Sequence, residues 1–160
     1  MAVTQQKSTQ VSNTDAFPAV MNPTHDWHGR MRIARFEYTQ SGQGDAGSLA
    51  ELVKLPAGRV RLILPLSRIA FAAMGASRTM DLGWLTHTDD DGNPVLADPN
   101  GLDDGVDVSS AGAVNPGGTV GGDETHLLSS QSGVTLTAQI NDGTFDDTKT
   151  LKGYFVYVVD

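Results

Sequence analysis

The chain has 160 residues, no cysteine, 18 glycines and 6% aromatic residues. That is the size of one domain, or one domain with an arm, and it excludes disulfide frameworks, thiolate zinc sites and cysteine nucleophiles. The net charge of −8 is unevenly laid out: residues 1–85 hold nine basic and six acidic groups, and residues 86–160 hold two basic and thirteen acidic.

Residues 1–29 stand apart. They are rich in Gln, Ser, Thr and Asn, carry Pro18 and Pro23, and show no sustained period of 2 or 3.6. Such a segment cannot alone offset its ordering entropy. It reads as an extended arm that orders only against its own body or a neighbouring chain, with Phe17 and Trp27 as apolar anchors. It lacks the apolar core of a signal peptide, and no run approaches the roughly 20 apolar residues of a membrane span. A soluble protein made in cytoplasm is expected.

Residues 30–160 form the second unit, and their period is 2, the mark of half-buried strands. Residues 30–39 place Ala34, Phe36 and Tyr38 on one face, with a change of phase near Ile33. Residues 48–55 place Leu49, Val53 and Leu55 together, and residues 59–66 turn Val60, Leu62, Leu64 and Leu66 inward. Pro65 marks an edge or the end of that strand. Residues 68–74 and 80–86 alternate around Ile69, Phe71, Met80, Leu82 and Trp84, and residues 134–140 around Leu136 and Ile140. Residues 151–159 are apolar on both faces: Leu151, Phe155 and Tyr157 on one, Tyr154, Val156 and Val158 on the other. This strand is expected to be central and covered on both sides. Between them, residues 89–123 are dense in Asp, Gly, Asn and Pro, which is turn chemistry. One or two short strands are expected near residues 103–108 and 113–120. Many short strands between Gly, Pro and Asp turns indicate an all-β chain with a single jelly-roll-like β-sandwich.

No constellation for chemistry emerges. The Asp-rich run Asp89, Asp90, Asp91 has the wrong register for a calcium loop and no Glu at the twelfth position, so its carboxylates read as solvated turn caps. His25 and His28 lie three apart, but in a polar segment beside Pro23 that does not favour a helix. The run Gly117–Gly122 lacks the Lys-Ser/Thr of a phosphate loop. Paired carboxylates such as Asp146 and Asp147 sit in hydrophilic turns, where nothing raises a pKa for acid catalysis. Neither an enzyme, a cofactor nor a metal is expected. The acidic half is a poor nucleic-acid surface. Arg59, Arg61 and Arg68 read as solvent-side strand positions and as contacts to an acidic protein partner.

The motifs LPAGRVRLIL, GASRTMDLGW, LDDGVDVSSAG and the C-terminal GYFVYVVD, within residues 44–160, resemble small structural proteins of tailed bacteriophages encoded beside the major capsid protein. The chain is similar to head decoration (cement) proteins. That resemblance implies a jelly-roll-like fold, attachment to the outside of a capsid, and partners in the major capsid protein and in the chain itself, as dimer or trimer. It implies a place on the virion surface, and it carries no catalytic residue to transfer. A head–tail completion or tail-associated protein is the alternative within the virion. A carbohydrate-binding sandwich for host adsorption is the alternative outside it.

Overall fold

A computed structural model describes residues 7–22, 29–120 and 124–159. A short helix α1 (Thr9–Asp15) precedes twelve strands: β1 (Met31–Thr39), β2 (Ser48–Lys54), β3 (Gly58–Ile63), β4 (Arg68–Phe71), β5 (Thr79–Trp84), β6 (His87–Thr88), β7 (Pro94–Val95), β8 (Asp98–Asp107), β9 (Gly112–Val114), β10 (Thr125–Ser130), β11 (Thr135–Asn141) and β12 (Thr150–Val159). They make a six-stranded and a four-stranded antiparallel sheet, with β6–β7 a small separate hairpin. The fold is the expected jelly-roll-like sandwich.

Strand β12 organises the larger sheet. On one side it pairs with all of β1, from Met31 opposite Val158 to Thr39 opposite Thr150. On the other it pairs with two strands in succession: β3 opposite residues 157–159 and β4 opposite residues 151–154. Between β3 and β4 the chain makes a single 3-10 turn, Leu64–Leu66, with Pro65 in its first positions. Proline cannot extend a ladder, so the strand breaks there, as the sequence indicates. The break would leave the Val156 N–H without a ladder partner. The buried Ser67 hydroxyl accepts it at 2.9 Å and donates to the Ile63 carbonyl at 3.0 Å. Asn115 Nδ2 donates to the carbonyls of Pro65 and Ser67. A buried polar gap is thereby closed by two side chains.

The inner faces meet in one core that includes Val60, Leu62, Leu64, Ile69, Met80, Leu82, Leu136, Ile140, Phe145 and Phe155, all buried. Phe36 and Phe155 stack at 5.9 Å across the β1–β12 pair, and Tyr38 tilts against Phe145. The expected inward residues Leu62, Leu64, Trp84, Leu136 and Phe155 are buried, and Tyr157 is half-buried.

Four local readings change. In β2 Ala50 and Leu52 are buried, followed by Leu55, and Val53 packs half-buried against the core as expected, while Leu49 is exposed. The pairing of β2 with β11 shifts register between Leu136 and Thr137, and such a bulge breaks the simple alternation. Leu66 is exposed because the 3-10 turn rotates it away from the strand's inner row. Strand β8 starts at Asp98, earlier than expected, and runs through Pro99 and Gly101 with irregular pairing to β5. Gly101 is needed there, since a Cβ would lie 2.3 Å from the Trp84 ring. Strand β10, THLLSS, lacks strong alternation and gave no sequence signal. In the arm, α1 is set by a local cap: Ser8 Oγ accepts from the Val11 N–H at 3.3 Å, and Lys7 pairs with Asp15 at 2.7 Å. A seven-residue polar helix shows no apolar stripe by which a period of 3.6 could announce it.

Candidate assembly face

The two sheets carry opposite charge. The strands of the six-stranded sheet hold six cations, Arg32, Arg35, Arg59, Arg61, Arg68 and Lys152, and one carboxylate, Glu37. The strands of the four-stranded sheet hold one cation, Lys54, and six carboxylates, Glu51, Asp81, Asp98, Asp103, Asp104 and Asp107.

Alternation puts Ile33, Arg35 and Glu37 of β1 on the outer face of the larger sheet, beside Lys152, Tyr154, Val156 and Val158 of β12. Ile33 stands opposite Val156, Arg35 opposite Tyr154, and Arg68 opposite Tyr154 from the other side. Val156 and Val158 are buried on this outer face although they lie outside the core between the sheets. The strand is therefore central, and covered on both sides at that end. Ile33 is 67% exposed and Met31 61%. A shallow groove of about 380 Å³ lies among Ile33, Arg35, Arg68, Ala70, Lys152 and Tyr154. Its floor is low because Ala70, opposite Lys152, is small. A Cβ on Gly153 would sit 2.1 Å from the Arg68 carbonyl oxygen, so glycine is what lets β12 and β4 approach. Lys152 pairs with Glu37 at 2.5 Å and holds that carboxyl below the usual range. The Arg68 guanidinium makes no ion pair or hydrogen bond among the described residues.

Of the sequence-predicted contacts, Arg59, Arg61 and Arg68 share the outer face of the larger sheet, because β3 and β4 run in line along one edge of β12, but they are spread along that edge, Arg61 opposite Val158 and Arg68 opposite Tyr154. Arg59 is already engaged: its Nε donates to Asp90 at 2.7 Å, in the turn of the β6–β7 hairpin, and this holds the Asp90 carboxyl low. Arg61 Nη1 donates to Thr125 Oγ1 at 3.3 Å. Arg59 and Arg68 are both exposed, and of the three only Arg68 borders the groove. Phe17 is fully exposed, just beyond α1. Trp27, with His25 and His28, lies outside the described residues. The sequence reading missed Ile33, Arg35, Lys152 and Tyr154. The signals were the phase change at Ile33 and the apolar second face of residues 154–158.

The Asp-rich stretch does local work. Asp89 accepts the Asn93 N–H at 2.7 Å and the Asn93 side-chain amide at 3.2 Å. Asp107 accepts the Ser109 N–H at 2.8 Å. Asp103 is buried and accepts backbone N–H groups of Gly117, Gly118 and Asp104, while burial pushes its carboxyl up. His126 stacks on Trp84 at 5.0 Å between the sheets, and burial pushes its pKa below the ordinary value. No group of three or more His, Asp or Glu side chains among the described residues is placed to hold a metal ion.

No protein-family model and no curated protein matches the chain. Solved structures do match in fold. A chain in the capsid of Ralstonia phage GP4 superposes with a TM-score of 0.60 at 20% identity, covering 88% of this chain and 91% of that one. A chain in the cyanophage Pam1 capsid asymmetric unit superposes with a TM-score of 0.54 at 11% identity, covering 92% and 98%. This chain thus shares its sandwich fold, over most of its length, with chains found in two phage capsids.

Proposed function

We propose that this chain is a structural protein of a tailed-phage virion that binds the outer surface of the capsid and stabilises it. The observation that carries the reading is the fold match to a chain in a phage capsid, over 88% of this chain and 91% of that one. The cationic outer face with its shallow groove gives that reading a surface. Arg68, Arg35 and the exposed Ile33 would meet an acidic, partly apolar patch on the major capsid protein. A protein that binds only the assembled shell stabilises it by mass action, and contacts repeated by the lattice add through multivalency.

The test is to mix purified protein with capsids lacking it, pellet the capsids and count bound copies. Saturation at a stoichiometry set by the lattice, with a raised disruption temperature, is expected. Copies confined to one vertex would instead mean a head–tail component. Binding to host glycan with none to capsids would mean an adsorption protein. Either result overturns the proposal.

A further inference from the structure

Strand β1 is an edge strand, and the hydrogen-bond phase shows which of its groups are unpaired. The Val156 N–H points toward the β3–β4 side, where Ser67 accepts it. In an antiparallel strand the groups alternate, so residues 151, 153, 155 and 157 face β1. Their partners are Tyr38, Phe36, Ala34 and Arg32. The bond from the Gln40 N–H to the Lys149 carbonyl, at 2.9 Å, continues the same phase. The backbone N–H and C=O groups of Ile33, Arg35, Glu37 and Thr39 therefore face away from the sheet, and none has a ladder partner among the described residues. An edge of this length with an exposed Ile33 is a template for another strand.

The sequence of that edge selects the strand. Two copies of β1 can pair antiparallel only in registers that match outward-facing residues with each other. Centring on Arg35 sets Arg35 against itself, and centring on the next outward residue sets Glu37 against itself. Centring on Phe36 sets Arg35 of each copy opposite Glu37 of the other, twice, and Ile33 opposite Thr39. Opposite charges directly across strands are favourable and like charges unfavourable, so Arg35-Phe36-Glu37 is self-complementary in this one register. The geometry points to a two-fold homodimer in which β1 pairs with β1 of a second copy about Phe36, joining two six-stranded sheets into one. A two-fold interface of this kind is isologous. The inference does not depend on the capsid reading, since the dimer forms in solution without a shell.

Sedimentation equilibrium of the full chain tests it, with Arg35→Glu, with Glu37→Arg and with their equimolar mixture. The wild type is expected to be a dimer. Each single reversal sets like charges opposite at both pairs and should raise the dissociation constant about tenfold or more. The mixture restores both pairs and should dimerise again as a heterodimer. Amide exchange of Ile33, Arg35 and Glu37 in the wild type should slow as concentration rises, a readout that needs no variant. A wild type that stays monomeric or forms trimers overturns the inference. So do reversals without effect, a mixture that stays monomeric, or exchange at these amides that is independent of concentration.

Discussion

The six-stranded and four-stranded sheets share a core but present opposite surfaces. One bears Arg32, Arg35, Arg59, Arg61, Arg68 and Lys152 against Glu37; the other bears Lys54 against five carboxylates that reach the surface, with a sixth, Asp103, buried. The asymmetry along the sequence becomes an asymmetry across the molecule because β1, β3 and β4 all join one sheet, while β5 and β8 join the other. Apolar alternation decides which residues go inside. The remaining positions are free to carry a field, and a field of one sign on one face steers that face toward an opposite surface.

The comparison breaks most severely through the shared core. Phe155→Ala should cost about 3–5 kcal/mol, because Phe155 is fully buried against Phe36. Denaturant unfolding followed by probes in each sheet should show both lost in one transition. A cost below about 1 kcal/mol would mean that the core does not bind the sheets together. Gly153→Val acts on one sheet only. Its Cβ would collide with the Arg68 carbonyl and should cost on the order of 1–3 kcal/mol. Amide exchange should quicken in β4 while β5 stays protected; equal loosening of both would contradict the assignment.

The titration of His126 makes a smaller difference. Burial against Trp84 disfavours the protonated ring in the fold, whereas the unfolded ring takes its proton at the ordinary value, near about pH 6.5. A depressed pKa in the fold means that the unfolded chain binds more protons, so stability falls as the pH drops from 7 toward 5. His126→Phe should remove that part of the fall in Tm between the two pH values. An unchanged pH dependence in the variant would show that His126 is not the titrating group.

Much of this was legible in the sequence, for a physical reason. Strands with one buried face, such as residues 58–63 and 68–71, announce themselves by alternation, the two-faced apolar run of residues 151–159 announces a central strand, and Pro65 marks the break between β3 and β4 where it occurs. The phase of β2 was not legible, because a bulge opposite Leu136 and Thr137 depends on the partner strand. Strand β8 was hidden by Pro99, Gly101 and Gly105, residues that usually end strands and here accommodate Trp84 and an irregular ladder. The face was half legible. Arg59, Arg61 and Arg68 showed as outward residues, but only the structure engages Arg59 with Asp90 and brings Ile33, Arg35, Lys152 and Tyr154 beside Arg68.

The smallest effect on the fold carries the largest consequence for function. Arg68 is exposed and unpaired among the described residues, so Arg68→Glu should change stability by no more than about 0.5 kcal/mol. The most direct test compares this reversal with Glu51→Lys on the opposite sheet, each titrated onto capsids lacking the protein at low and moderate salt. The cationic face predicts that Arg68→Glu weakens capsid binding, most at low salt, while Glu51→Lys leaves it unchanged. Equal affinity for both variants, or loss only with Glu51→Lys, would contradict the assignment of the six-stranded sheet as the docking face.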